Sequence, residues 1–319
     1  MKITVVTETA ARRLVTLADA IAVVEAAFVS LHRGESLVFP SVRGHGSDPM
    51  TRFGVKAGYD GARRLPGLKV GSYWAGNPAK GLEAHGSTTL LLDDETGFPK
   101  ALVAASYLNA LRTAASDAVA VRRLARPDAK VLTVVGTGSQ AYWDALAVAQ
   151  VRDLAKVWVC GRNADGATRL AARLAEAGLA AEAGPVEAAV AAADIICTVT
   201  ASREPLFAAR LVSPGAHISA MGADGPGKQE LDPALLAQSP LWADAPEQSV
   251  LIGEFQHAPR TRDVRALGAS LAGEGPGRAR DNEITVYDSS GIALQDLAIA
   301  AFALDRAQAA GADLALDLG

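Results

Sequence analysis

The stretch Val131-Leu-Thr-Val-Val-Gly-Thr-Gly-Ser-Gln-Ala141 decides the fold. A short apolar, β-branched run ends in glycines, and an alanine-rich segment through Ala149 follows. That order predicts a buried strand, a tight turn and a helix. Gly136, Gly138 and Ala141 hold the three positions of a dinucleotide-binding turn. The first allows the bend, the second lets a pyrophosphate approach the backbone, and the small third lets helix and strand pack closely. The N–H groups that open the helix, at its partially positive end, then face the phosphates.

Downstream of this turn, strands and helices alternate. Residues 157–160, 194–198, 216–220 and 241–244 read as strands, and residues 165–177 as a helix. Such alternation predicts a parallel sheet with right-handed crossovers. Residues 268–277 are glycine-rich and read as a loop. Upstream, residues 18–31 and 106–124 have helical spacing, with Ile21, Val24, Phe28 and Leu31 on one face. Residues 34–81 are rich in glycine, proline and arginine, with short strand-like pieces such as 67–71. Residues 88–93 and 100–103 read as strands joined by a turn at 94–97. A last apolar helix starts near Ile292 and is expected to pack back on the N-terminal part.

The 319 residues suggest two domains, and half of them are apolar, enough for a large core. A formal charge of −4 and the lack of basic runs argue against nucleic acid and for a small-molecule partner. Cys160 and Cys197 are the only cysteines and fall in predicted strands, so they read as reduced core thiols. Charged residues interrupt the N-terminal segment, and no uncharged apolar run nears the length of a membrane span. A cytoplasmic protein without membrane or metal partners is expected.

In a dinucleotide fold an acidic residue about 20 positions past the glycines accepts hydrogen bonds from the ribose. Here the second strand ends Cys160-Gly161-Arg162-Asn163, with no carboxylate. Arg162 would instead suit a 2′-phosphate, which favours NADP(H) over NAD(H).

Three further segments stand out: Leu65-Pro-Gly-Leu-Lys69, Leu108-Asn-Ala-Leu-Arg-Thr-Ala-Ala115 and Met221-Gly-Ala-Asp-Gly-Pro-Gly-Lys228. With Gly136–Ala141, Pro276-Gly-Arg278, residues 281–285 and Ser290-Gly291, they make the chain resemble the ornithine cyclodeaminase/mu-crystallin family nearly end to end. The resemblance implies hydride transfer between a nicotinamide and the α-carbon of an amino or imino acid. It maps the cations around the substrate carboxylate onto Lys69, Arg112 and Arg43, and the catalytic aspartate onto Asp224. An arginine fork suits a carboxylate bidentately. Lys69 and Asp224 are the expected catalytic groups, and either could keep the imine protonated. His85 lies in the stretch that lines the substrate pocket in the family, and His217 reads as structural. Tyr73 and Trp74 suit either a pocket wall or packing. The expected cofactor contacts are Thr113, Gly136, Thr137, Gly138, Ser139, Gln140, Ala141, Gly161, Arg162, Asn163, Thr200, Met221 and Gly222.

Glu83-Ala84-His85-Gly86 stands where ornithine cyclodeaminase has a substrate-touching threonine close by. With the missing ribose acid, that argues against the ornithine reaction. The expected fold is therefore α/β: a Rossmann domain over residues 116–289, plus a discontinuous α+β substrate and dimerisation domain from 1–115 and 290–319. The active site is expected between them, and the resemblance implies a homodimer. The favoured reaction is NAD(P)H-dependent reduction of a cyclic α-imino acid, of the Δ1-pyrroline-2-carboxylate type, to an L-amino acid. Alternatives are an acyclic reductase or dehydrogenase (alanine or iminosuccinate type), ornithine cyclodeamination, or a nucleotide-loaded binder without catalysis. Lys56, Arg63 and Arg64 read mainly as solvated loop charges, or as a contact for a second substrate carboxylate.

Overall fold

The computed structural model describes residues 2–317 and 319, and the chain divides into two compact units. One runs through Arg112 and resumes at Ile292, and the other is Thr113–Gly291. The first begins β1 (Lys2–Val6), α1 (Glu8–Leu14) and α2 (Leu17–His32). Thr16 starts α2 with a reciprocal cap: its hydroxyl accepts from Asp19 N, and the Asp19 carboxylate accepts from Thr16 N. Then come β2 (Leu37–Val38), β3 (Val42–Gly44), β4 (Arg52–Asp60), β5 (Leu65–Tyr73), β6 (His85–Leu92), β7 (Pro99–Ala104) and α3 (Ser106–Leu124).

Residues 34–81 thus hold two nine-residue strands besides the short β2 and β3. In β4, Phe53, Val55, Ala57 and Tyr59 point to one face, while Gly54, Lys56 and Gly58 point to the other. The apolar set alternates as a strand should, and the glycines and lysine between them hide the pattern.

The second unit contains β8 (Val131–Val135), α4 (Ser139–Ala149), β9 (Lys156–Cys160), α5 (Ala164–Glu176), β10 (Ala181–Ala183), α6 (Val186–Ala192) and β11 (Ile195–Thr198). It continues with β12 (His217–Ala220), α7 (Pro233–Gln238), β13 (Leu241–Ala243), α8 (Pro246–Ile252), β14 (Val264–Ala266), α9 (Leu267–Leu271) and β15 (Thr285–Asp288). The sheet order is β10-β9-β8-β11-β12-β15-β13-β14, with every pairing parallel. The chain leaves β8 toward β9 and β10, then returns to build outward from β11. That reversal is where such sheets bind ligands, beyond the strands' C-terminal ends. The expected loop at 268–277 instead begins as the short helix α9.

The chain then returns to the first unit with α10 (Ala293–Ala309) and β16 (Leu314–Asp317). The sheet there runs β16-β1-β7-β6-β5-β4-β2, with β3 on β4. Helix α10 packs on α2 and on β4, β5 and β6. Glycine permits the close approach: a Cβ on Gly67 would lie 2.9 Å from Leu297 Cδ2 and 2.7 Å from Leu90 O.

Candidate active site

In the first unit, strand register gathers the expected cations on one face. Lys56, Lys69 and Thr89 form one row across β4, β5 and β6. Arg43 lies level with Gly54, Gly71 and Ser87, and Arg52, Tyr73 and His85 are level with one another. These rows are two residues apart along the strands, so their side chains share the face on which α10 lies. Lys56 is therefore a strand residue beside Lys69, not a loop charge. Arg63 and Arg64 instead pair with Asp60 and Asp94, each at 3.1 Å. Arg43 and His85 sit at the exposed end of this face. Trp74 lines a recess with Met50 and Lys80.

Lys69 is only 5% exposed and Arg112 7%. Both meet Asp296 of α10, on the same oxygen: Lys69 Nζ is 2.8 Å from Oδ1 and Arg112 Nε 2.9 Å. Asn109, one helical turn before Arg112, bridges the pair, accepting from Lys69 Nζ at 2.6 Å and from Arg112 Nη2 at 2.7 Å. Gln295 accepts from Arg112 Nη1 at 3.3 Å and from Ile292 N at 3.2 Å. Burial, with Arg112 and Lys56 nearby, pushes the Lys69 ammonium down to about 7, although Asp296 opposes the change. Burial alone would raise the Asp296 carboxyl, yet Arg112 and Lys69 hold it below its ordinary range. Around this cluster Ser87 Oγ, Thr89 Oγ1, Gln295 Nε2 and Asp296 Oδ2 are buried without hydrogen-bond partners. Native interiors pair nearly all such atoms, so this orphaned set beside two cations makes the cluster a candidate ligand site.

Asp296 and Asn109 were not foreseen. Asp296 lies in the apolar run Ala293-Leu-Gln-Asp-Leu-Ala298, and a charge buried inside such a helix face is the available signal.

In the second unit, the turn after β8 fits a dinucleotide. Gly136 has φ +145°, and a Cβ there would lie 2.6 Å from Val199 O. Gly138 caps α4 with extended backbone, no side chain satisfies the first N–H groups, and a Cβ there would meet open space. Gly161 follows β9, where a Cβ would lie 2.5 Å from Thr137 Cγ2. Ala141 is buried under the helix. Arg162 is exposed beyond β9, and Asn163 caps α5 by accepting from Asp165 N and Gly166 N. Ser139 starts α4, and Thr113 begins the second unit within α3.

Some expected contacts have their side chains engaged elsewhere. Gln140 donates to the buried Asp144 at 2.7 Å. Thr200 donates to Glu230 from both N and Oγ1, at 2.6 and 2.7 Å, and Gly222 N donates to the same carboxylate at 2.9 Å. Met221 N bonds Thr198 O. Glu230, also unforeseen, therefore ties together the loops that follow β11 and β12. Glu254 accepts in turn from Glu230 N and Leu231 N, and burial pushes its carboxyl up to about 8. Asp224 stands in the β12 loop, 56% exposed, with its carboxylate 2.6 Å from Lys228 Nζ. Lys228 also bonds Gly222 O, closing the loop on itself.

Asp117, Asp144 and Cys197 form a buried group, their ligand-type atoms all within 4.8 Å. Burial raises both carboxyls, Asp117 to about 6 and Asp144 well above its ordinary range, where the neighbouring Asp117 adds to the effect. His217, expected to be structural, is buried between Thr285 Oγ1 and Ser219 Oγ and pushed down to about 3, hence neutral.

The sequence profile of the ornithine cyclodeaminase/mu-crystallin family matches residues 1–311. The chain belongs to that family. Within it, an iminosuccinate reductase from Paracoccus denitrificans is 40% identical over 312 residues, covering 96% of this chain and 97% of the relative. The crystal structure of the Paracoccus denitrificans iminosuccinate reductase with NAD+ superposes with a TM-score of 0.94 at 39% identity, over the whole of both chains. An alanine dehydrogenase from Archaeoglobus fulgidus is 38% identical over 76% of each chain. A Δ1-pyrroline-2-carboxylate reductase from Thermococcus litoralis, solved with NADH and L-proline, reaches a TM-score of 0.90 at 26% identity, covering 98% and 99%.

Proposed function

We propose that this protein is an NAD(P)H-dependent imino acid reductase whose substrate is an acyclic α-imino dicarboxylate of the iminosuccinate type. The observation that carries the reading is the buried pair Lys69 and Arg112 sharing one carboxylate oxygen, which leaves an excess of positive charge. A substrate carboxylate on Arg112 and Lys69 balances that charge and finds the orphaned hydroxyls of Ser87 and Thr89 beside it. The family resemblance places Arg43 at this same carboxylate, and Lys56, level with Lys69, adds a further positive charge on that face. Lys56 suits a second carboxylate, and the 40% identical iminosuccinate reductase supports that order of preference over the cyclic imine favoured by sequence.

When bound, a reduced nicotinamide supplies the hydride that reduction of a C=N carbon requires. Lys69, buried and titrating near neutrality, is the group we assign to protonate the substrate nitrogen. Asp224, exposed and tied to Lys228, is assigned to orient that nitrogen. The N–H groups of α4 receive the pyrophosphate. Arg162 supports acceptance of NADP(H), while the NAD+ and NADH named in solved neighbours support NAD(H) as the working cofactor. A cyclic-imine reductase is the second reading, favoured by the Thermococcus neighbour that holds L-proline.

The apolar side of β4, with Val42 and Val70 level with Val55, faces away from α10 and is half exposed. A second copy of the chain is the proposed cover, in keeping with the dimer recorded for an archaeal alanine dehydrogenase. Two buried free thiols support a reducing compartment such as the cytoplasm, and no single described helix is long and apolar enough to cross a membrane.

The test is oxidation of NADH and NADPH with oxaloacetate plus ammonium, pyruvate plus ammonium, and Δ1-pyrroline-2-carboxylate. Fastest turnover with oxaloacetate plus ammonium is expected, and Lys56→Met should raise KM for that substrate alone. Preference for the cyclic imine would install the second reading. Ammonia release from L-ornithine without net cofactor change would overturn reduction altogether.

A further inference from the structure

Resting on the reductase reading, we propose that Asp296 is a positioning residue of this reaction: through one oxygen it holds Lys69 and Arg112 together and keeps the lysine charged until the substrate carboxylate arrives. The geometry requires such a group. Two buried cations 2.8 and 2.9 Å from Asp296 Oδ1 would repel each other without it, and Lys56 in the adjacent strand adds to that repulsion. The groups facing Lys69 are Lys56 from β4, the uncharged Thr89 from β6, Arg112 and Asn109 from α3, and Asp296 from α10. Asp296 is the only carboxylate among them.

The second oxygen of Asp296 is buried and receives no hydrogen bond. The anchor is thus half used. It restrains the two cations without neutralising both, and the remaining positive charge is available to an anionic substrate. A carboxylate that fully paired with Arg112 would compete with substrate instead. The same arrangement poises the lysine: burial and two cations lower its affinity for a proton, Asp296 restores part of it, and an arriving carboxylate restores more. Proton affinity is therefore greatest when the substrate is in place, and falls once the carboxylate leaves.

The test follows the Lys69 side chain directly, by nitrogen-15 NMR of lysine-labelled protein, with Lys69→Arg to assign the resonance. The wild-type midpoint is expected near 7. Asp296→Asn should lower it by about one unit or more, and Asn109→Asp, which adds a carboxylate to the same two cations, should raise it. The alkaline limb of the kcat/KM profile should move with it, so that Asp296→Asn loses about tenfold or more near pH 8 and less near pH 6. Dinucleotide affinity should stay unchanged, because that site lies in the other unit. Identical lysine midpoints in all three proteins would overturn the proposal. So would a loss in Asp296→Asn that is the same at every pH. If Asp296→Asn does not fold, Asn109→Asp decides by the same two measurements. Should no imine be reduced by the wild type, the reductase reading fails, and the titration still determines what Asp296 does to Lys69.

Discussion

Gly136 and Gly138 differ by two positions and have separate duties. Gly136 adopts a left-handed conformation against Val199, so Gly136→Ala strains the backbone and should cost about 1–3 kcal/mol of stability, seen as a lower Tm. Gly138 has ordinary extended backbone and open space around its absent Cβ. Gly138→Ala should therefore leave Tm unchanged while weakening dinucleotide binding, measured by fluorescence titration with NADH. Equal losses in both properties for both variants would contradict this division. These glycines were legible because a turn is written in consecutive residues. Lys69 and Arg112 were legible through the motifs around them. Asp296 was not: its contact with Lys69 spans 227 positions, and nothing in either segment announces the other. Glu230 escaped for the same reason, since a glutamate in an irregular segment gives no sign that several donors from two loops converge on it.

Among the elements, α10 and β5 depend on a contact without side chain. Gly67→Ala places a methyl 2.9 Å from Leu297 and 2.7 Å from Leu90 O, and should destabilise the protein by about 1–3 kcal/mol. Gly76→Ala, where a Cβ meets nothing within 4 Å, is the control and should leave Tm unchanged. The loops after β11 and β12 carry a pH dependence through Glu254. Its carboxyl is raised to about 8 in the folded chain, so the stability it contributes is complete below about 4.5 and is lost as pH rises through 8. Glu254→Gln keeps an acceptor for Glu230 N and Leu231 N but cannot ionise. It should flatten the fall in Tm between about pH 5 and 9 relative to wild type. A fall of the same steepness would show that the proton resides elsewhere. Strands β8, β9, β11, β12 and β13 of the parallel sheet were legible because buried strands are continuous apolar runs, whereas β10, β14 and β15, only three or four residues long, show no such run. β4 was missed because its inward face carries Gly54, Lys56 and Gly58, where a core strand normally places hydrophobic residues. The small helices α7, α8 and α9 were missed for want of length, since five to seven residues cannot show a helical period.

At the scale of the whole molecule, the inverted β4 pattern bears on assembly. The face that carries the charged site is lined by glycine and cations, while Phe53, Val55 and Val70 lie on the other, partly exposed. Val70→Asp should convert the proposed dimer into a monomer by light scattering, and an unchanged mass would place the interface elsewhere. Chain connectivity has a different consequence, for biosynthesis. The second unit is one continuous segment, Thr113–Gly291, whereas the first lacks α10 until Ile292 and its successors have been translated. On the ribosome the dinucleotide unit can close first, and the sheet made earliest must wait with one face bare for the helix made last. The helix that supplies Asp296 to the candidate anion site is thus also the one that covers that face of the sheet.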